Sequence, residues 1–168
     1  MNWKDVDTTN CGIAACADLF GDRWALLILR DVFAGVTRFG DLQRHTGAST
    51  AVLADRLRRL VGAGILRETA YREGRARSRS AYQPTEKGLG LVPVIVALAE
   101  YGYAFLMSPE QRIVSYLDAR TGERVRTALV RGDGTEVAPG DLAFDVSPGA
   151  LAPGYTAPTS RGAGRTRD

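Results

Sequence analysis

The chain has 168 residues, of which 45% are hydrophobic and 24% are charged. This length allows one ordinary domain with an appendage, and the composition is typical of a soluble globular protein and suggests neither wholesale disorder nor a membrane protein. Its two cysteines, Cys11 and Cys16, lie five residues apart in a predicted helix, where their side chains point to different faces and cannot bridge each other. A disulfide-stabilised secreted domain is therefore disfavoured. The acidic N-terminal residues are unlike the basic start of a signal peptide, so we expect a cytoplasmic protein.

Catalytic and metal-binding constellations are hard to assemble from this sequence. His45 is the single histidine, so we expect no Ser-His, Cys-His or multi-histidine metal constellation within one chain. No phosphate-cradling glycine loop and no nucleophile beside a base is visible. We therefore expect no enzyme, no metal and no cofactor.

Basic charge is concentrated in one block of the chain. Residues 36–88 carry eleven basic and five acidic residues, whereas residues 1–35 carry three and five, and residues 108–168 balance at eight each. A phosphate-facing surface needs such a block. Arginine outnumbers lysine twenty to two along the whole chain, so the position of an arginine carries more information than the number of arginines.

A helix-turn-helix is predicted after the first amphipathic helix. Apolar residues at helical spacing predict a helix over 23–34, followed by a short helix over 39–46. Gly47 ends the short helix, and Ser49 is placed to cap a third helix over 50–63. This third helix is amphipathic with a basic outer face. The leucines of its inner side are Leu53, Leu57 and Leu60. Two helices joined by a short glycine turn are typical of DNA-binding modules.

A β-hairpin is predicted directly after the third helix. Residues 65–71 are rich in strand-forming types, and residues 80–84 are interpreted as the returning strand. The intervening loop carries four arginines around Gly74, which are Arg72, Arg75, Arg77 and Arg79. An arginine-tipped hairpin that follows a recognition helix is a wing, and we expect it to follow the phosphate backbone or the minor groove.

A strongly apolar helix is predicted over 86–107, with Glu100 as the only charge in its body. Its length raises the alternative of a membrane span. Pro93, three glycines and Glu100 argue against a span, and a helix covered partly by its own domain and partly by a second subunit explains the composition better. The predicted dimer-interface residues are Leu91, Val94, Ile95, Leu98, Tyr101 and Phe105.

The C-terminal third changes character. Strands are predicted over 112–117, 124–130 and 142–146, with glycine turns at 120–123 and 132–135. The remainder is rich in glycine and proline and is predicted to be a disordered tail. The expected fold class is α+β, mainly α, with a winged helix-turn-helix, a terminal dimerisation helix and a small C-terminal β appendage. The expected domains are 1–107 for DNA binding and dimerisation, 108–146 for the appendage and 147–168 for the tail.

Candidate DNA contacts follow from this arrangement. Ser49 could serve only as a helix cap, and Arg56 and Arg59 could lie on a solvated face, but an arginine can also bind guanine through a bidentate pair. Contact with either phosphates or bases is left open for these residues. The predicted DNA-binding residues are Arg38, Ser49, Thr50, Val52, Arg56, Arg59, Arg75, Arg77 and Arg79.

Several motifs in order resemble the HxlR-type winged-helix regulators. They are Cys11 before a helix, 21–24 (GDRW), 27–30 (LILR), 38–42 (RFGDL), 53–60 (LADRLRRL) and 85–88 (TEKG). The resemblance covers about residues 11–107. It implies a homodimer with two recognition helices in successive major grooves of an inverted repeat, and repression or activation of neighbouring genes.

The resemblance also raises two further questions, one about Cys11 and one about zinc. Some members respond to oxidants through a cysteine near this position, which makes Cys11 a candidate redox sensor; the alternative is an unreactive, packed side chain, as we also expect for Cys16. Members with similar extensions carry cysteine knuckles that resemble a zinc ribbon. Here Gly122 and Gly134 occupy such turns, but no cysteine lies beyond residue 16, so the appendage has no thiolates for zinc.

The sequence thus predicts a homodimeric, sequence-specific DNA-binding regulator, a repressor that responds to a small-molecule effector or an oxidant. Its expected partners are double-stranded DNA with an inverted repeat and a second copy of the chain, with no membrane. The alternative is a winged-helix module that binds an acidic protein partner.

Overall fold

A computed structural model describes residues 6–7, 9–72 and 79–145. The helices are α1 (Gly12–Phe20), α2 (Arg23–Phe33), α3 (Phe39–Thr46), α4 (Thr50–Gly62), α5 (Glu86–Leu89) and α6 (Val92–Phe105). The strands are β1 (Leu66–Tyr71), β2 (Arg79–Pro84), β3 (Leu129–Val130) and β4 (Glu136–Val137). The predicted fold class, mainly helical with small antiparallel sheets, is confirmed.

One core joins α2, α3, α4, the β1–β2 hairpin and α6. Helix α2 packs against both α3 and α4, and its buried apolar stripe is formed by Ala25, Ile28, Leu29 and Val32. Trp24, at the start of this helix, is half-buried and packs against the core. The leucines predicted for the inner side of α4 are each at most 1% exposed. Burial of such side chains is the main stabilising contribution to the fold.

The turn between α3 and α4 follows the sequence signals. Gly47 ends α3 with a φ of 74°, a left-handed conformation that is strained for residues with a Cβ. Ser49 then caps α4 from the position before its first residue, and its hydroxyl accepts the amide N–H of Val52 at 3.3 Å. The predicted N-cap is therefore confirmed.

The hairpin of β1 and β2 is joined by one backbone bridge to the segment before α3. The two strands pair antiparallel from Leu66 opposite Pro84 to Tyr71 opposite Arg79. Arg38 forms an additional antiparallel bridge with Ala81, and the amide of Tyr82 donates to the carbonyl of Thr37 at 2.7 Å. The segment that leads into α3 is therefore tied to β2 through its backbone, which positions the start of α3 beside the hairpin.

The 85–88 motif ties the hairpin to the end of α4. The Thr85 hydroxyl donates to the carbonyl of Gly64 at 2.6 Å and accepts the amide of Gly88 at 3.0 Å. Lys87 Nζ donates to the carbonyl of Ala63 at 2.8 Å. A Cβ built on Gly88 would lie only 2.2 Å from the carbonyl oxygen of Ile65, so only glycine fits this approach.

The helix predicted over 86–107 is divided in two. Gly90 and Leu91 form a turn between α5 and α6, and Pro93 follows at the first turn of α6, where its missing N–H costs no helical hydrogen bond. The stretch Glu86–Phe105 is long and apolar enough to cross a membrane by length and composition alone. Ile95 and Val96 of α6 are nevertheless buried within this domain.

The strands predicted for the appendage are largely wrong. The structure has only the two-residue pairs of β3 and β4 and an isolated bridge between Leu117 and Arg124. Residues 112–117 and 142–145 are not strands, while 146 lies outside the described residues. No residue of 108–145 is buried, so the alternating apolar residues have no covered sheet face to stabilise longer strands. The two glycine turns are present, with positive φ at Gly122 and Gly134.

Candidate nucleic-acid interface

The exposed start of α4 is the centre of the candidate surface. Ser49 and Thr50 are exposed, and α3 supports them because Gln43 Nε2 donates to Thr50 Oγ1 at 2.8 Å. Val52, in the same first turn, is half-buried and packs against the core. The first turn of α4 thus presents two hydroxyl side chains and the dipole-positive end of a 13-residue helix.

Arg56, predicted as a DNA contact, forms ion pairs within the protein. Its Nε lies 2.9 Å from Asp22 Oδ2, and its Nη1 contacts Asp55. Hydrogen bonding to Asp22 raises the pKa of Arg56 above its ordinary value. Partial burial would raise the pKa of Asp22, but the hydrogen bonds from Arg56 and from the amides of Ala25 and Trp24 outweigh it, and the pKa is lowered.

The other two arginines of α4 also have partners in the chain. Arg59 is exposed, and its Nη2 donates to the backbone carbonyl of Asp18 in α1. Arg58 contacts Asp55 at 3.3 Å. The basic outer face of α4 therefore contacts α1 and the α1–α2 junction at Arg59 and Arg56.

Arg38 and Arg79 lie on the sheet beside α3. The guanidinium carbon of Arg38 is 4.7 Å from the centroid of the Tyr71 ring, a cation–π contact. Arg79 is exposed at the start of β2, opposite Tyr71. The structure thus brings Arg38 and Arg79 to one place next to the hairpin. The predicted contacts Arg75 and Arg77 lie outside the described residues.

The residues predicted for a dimer interface divide into two groups. Ile95 is buried and Leu91 packs against the core of the same protomer. The remaining four lie at helical spacing on the outer side of α6 with exposed fractions between 41% and 72%. This stripe, called the α6 stripe below, consists of Val94, Leu98, Tyr101 and Phe105.

The cysteines lie in or beside α1. Cys11 is half-buried at the N-cap of α1 and its side chain makes no capping hydrogen bond. Cys16 is exposed in the middle of α1, so its predicted packing within the protomer is wrong. The reason is that only Phe20 of α1 is buried in the chain itself.

Sequence reasoning missed three supporting residues. Asp22 caps α2 by accepting the amides of Trp24 and Ala25 at 3.0 and 3.2 Å, and its position before an apolar helix was the available signal. Asp31 is only 2% exposed, and Oδ2 lies 2.9 Å from Nδ1 of His45, which joins α2 to α3. No local pattern reveals the Gln43–Thr50 contact, because seven residues and a turn separate the pair.

Relatives of this chain are transcription regulators. The HxlR-like helix-turn-helix family model matches residues 19–110. An HTH-type transcriptional regulator of Mycobacterium tuberculosis strain H37Rv is 36% identical over 118 residues, which cover 70% of this chain and 73% of the relative. A similarly described regulator of Synechocystis is 35% identical over 97 residues, 57% of this chain and 70% of the relative.

Solved structures resemble the fold of this chain. The crystal structure of PA1607, described as a candidate transcription factor, superposes with a TM-score of 0.70 at 33% identity and covers 83% of this chain and 96% of its own. PA1374 of Pseudomonas aeruginosa, described in the same way, gives a TM-score of 0.56 at 28% identity, with 83% and 94% covered. The winged helix-turn-helix prediction is confirmed, and the chain belongs to the HxlR-like helix-turn-helix family of transcription regulators.

Proposed function

We propose that this protein is a homodimeric, cytoplasmic regulator that binds an inverted repeat in duplex DNA through the start of α4 and the adjoining wing. The observation that carries the proposal is the exposed Ser49–Thr50 turn, held by Gln43 next to a sheet that presents Arg38 and Arg79. A helix start with exposed hydroxyls suits a major groove, and flanking guanidinium groups suit phosphates.

The predicted contact residues have different roles in this proposal. Ser49 and Thr50 contact the groove or its edge, with Val52 setting the packing of the first turn. Arg38, Arg75, Arg77 and Arg79 contact the backbone or the minor groove. Arg56 acts mainly by positioning α4, because Asp22 and Asp55 hold its guanidinium. Arg59 links α4 to α1 through the carbonyl of Asp18, and in this proposal it also contacts a phosphate.

The α6 stripe supports the homodimer. Its four exposed apolar residues are continued at the end of the helix by Leu106 and Met107, which are also exposed. Apolar patches of this kind are typical of interaction sites. Two-fold symmetry of a dimer matches the symmetry of an inverted repeat, because each protomer places one α4 in one half-site.

We further propose that the regulator is a repressor released by a small-molecule effector or by an oxidant acting at Cys11. The α1 helix that begins at Cys11 contacts α4 through Arg59, so a change at Cys11 has a direct path to the DNA-binding helix. A disulfide at Cys11 requires the second subunit or a small thiol, because Cys16 lies on a different face of the same helix.

Selection of bound duplexes from a random pool tests the function. The full chain is expected to enrich an inverted repeat, with a log–log salt slope of roughly −5 for about three phosphates per protomer. The selection is repeated with oxidant on the wild type and on Cys11→Ser. No enrichment contradicts the regulator and favours a protein-binding module, whereas equal oxidant sensitivity of Cys11→Ser and the wild type contradicts only the sensor role.

A further inference from the structure

We propose that Glu100 of α6 and Thr127 of the appendage form a clasp that fixes α6 against the DNA-binding unit and so sets the half-site spacing that the dimer accepts. This inference rests on the DNA-binding function and the α6 dimer proposed above. Glu100 is the one charge in the apolar sequence of α6. The amide of Thr127 donates to Glu100 Oε2 at 3.0 Å, and the Thr127 hydroxyl donates to the same oxygen.

The surroundings of Glu100 favour its charged form. The hydrogen bond from the Thr127 hydroxyl lowers the pKa of Glu100, and this effect outweighs the partial burial that raises it. The guanidinium groups of Arg112 and Arg126 lower the pKa further. Hydrogen bonds to an ionised carboxylate are roughly twice as strong as neutral ones. The clasp is therefore a charge-assisted contact at neutral pH.

The appendage has little apolar burial with which to hold its place on the domain. Of its described residues, 108–145, none is buried, and the half-buried ones are Tyr116, Asp118, Thr127 and Val137. Burial raises the pKa of Tyr116, and the Arg30 guanidinium of α2 lowers it in part, so Tyr116 lies near α2. The amide of Val125 donates to the carbonyl of Tyr116 at 3.0 Å, which joins this segment to the one that carries Thr127.

The domain core holds only the first half of α6. Ile95 and Val96 are the buried residues of this helix, and α6 packs against α2. Glu100 and Tyr103 lie in the second half, where the guanidinium carbon of Arg112 is 5.1 Å from the centroid of the Tyr103 ring. The appendage thus contacts the part of α6 that the core leaves unburied. Loss of the clasp should allow this part to tilt relative to α2.

The angle between α6 and α2 matters for the spacing of two half-sites. Helix α6 carries the α6 stripe, and α2 packs against α4. In a two-fold dimer, the angle between them sets the distance and the rotation between the two copies of α4. One inserted base pair rotates a half-site by roughly 35° and moves it by about 3.4 Å. A rigid dimer therefore accepts one spacing, whereas a dimer with a loose α6 accepts several.

Hydrogen exchange of single amides, followed by NMR on the full chain without DNA, tests the clasp itself. In Glu100→Ala the Thr127 amide should exchange at least about tenfold faster. The Val125 amide, which bonds within the appendage, should keep its rate. Thr127→Val removes only the hydroxyl and should give a smaller increase, whereas Thr127→Ser keeps the hydroxyl and should match the wild type. If both amides exchange faster in Glu100→Ala, the appendage has unfolded, and the comparison of Thr127→Val with Thr127→Ser decides instead.

Glu123→Ala is the matched control for Glu100→Ala. Glu123 is an exposed carboxylate of the same appendage, and its backbone N–H and C=O form the hydrogen bonds of its turn. The control removes a carboxylate without touching the clasp, so both amides should exchange as in the wild type.

Binding to selected duplexes whose half-site spacing is changed in steps of one base pair tests the role in spacing. One added base pair should weaken binding at least about tenfold for the wild type and for Glu123→Ala, but no more than about threefold for Glu100→Ala. A variant that is only less stable would lose affinity equally at every spacing.

The two measurements separate the possible failures. An unchanged Thr127 exchange rate in Glu100→Ala overturns the clasp. Faster exchange with the same spacing preference in Glu100→Ala and the wild type overturns the role in spacing. A wild type that selects no duplex contradicts the proposed function, and the role in spacing falls with it, while the exchange rates still decide whether the clasp exists.

Discussion

Nε of Arg56 lies 2.9 Å from Oδ2 of Asp22, and this ion pair joins the candidate recognition helix α4 to the first turn of α2. The same carboxylate accepts two amides at the start of α2. One side chain therefore caps one helix and orients another, and a change at Asp22 affects both.

Loss of the Asp22 carboxylate should destabilise the domain in two ways, through the lost helix cap and through the lost ion pair. Asp22→Ala removes the cap and the ion pair and should lower the free energy of unfolding by about 1–2 kcal/mol. Asp22→Ser restores a capping oxygen and should recover part of that loss. Urea denaturation of Asp22→Ala, of Arg56→Ala and of the double variant measures the coupling free energy between the two side chains. We expect a coupling of at least about 0.5 kcal/mol. If the losses of unfolding free energy in the single variants add up to the loss in the double variant, the ion pair does not stabilise the domain.

Low pH should weaken the stabilising contribution of the Asp22 carboxylate. The pKa of Asp22 is lowered in the folded protein, so its stabilising effect is complete above the pKa of the unfolded chain and is lost as pH falls through the folded pKa. The difference in unfolding free energy between the wild type and Asp22→Asn should be constant near neutral pH and shrink below about pH 4. Urea denaturation at a series of pH values measures this difference. A difference that grows as the pH falls would contradict a lowered pKa of Asp22.

Gly88→Ala should destabilise the joint between hairpin and helix. The new methyl group would lie 2.2 Å from the carbonyl oxygen of Ile65, and overpacking of this kind costs about 1–3 kcal/mol. Gly62→Ala is the control, because nothing lies within 4 Å of its Cβ position at the end of α4. Thermal unfolding should show a lower Tm for the first variant and an unchanged or higher Tm for the second.

A charge in the α6 stripe should dissociate the proposed dimer. Leu98 is 51% exposed in the protomer, and Leu98→Glu would bury a carboxylate against apolar groups of a partner. Val130→Glu, at a 60% exposed position on β3 outside the stripe, is the control. Sedimentation analysis should give a monomer for Leu98→Glu and a dimer for the control. A monomeric wild type would contradict the homodimer, and a dimeric Leu98→Glu would place its interface outside the α6 stripe.

The helices near the candidate site could be predicted because their signals are local. The glycine and serine between α3 and α4 act within their own turn, and leucines at helical spacing make only one face of α4 suitable for burial. The strands of the appendage were predicted poorly because its apolar alternation resembles strands, whereas in the folded chain none of residues 108–145 is buried.

Local signals in the sequence predict the order of helices and hairpin, the capped start of α4 and the apolar character of α6. Capping, helical periodicity and glycine turns depend on residues a few positions apart, so the sequence displays them directly. Folding, in contrast, brings Arg56 to Asp22, thirty-four residues away, and gathers Arg38, Arg44 and Tyr71 around one cleft. The packing of the helices against the hairpin sets these long-range contacts, and local sequence patterns do not reveal them.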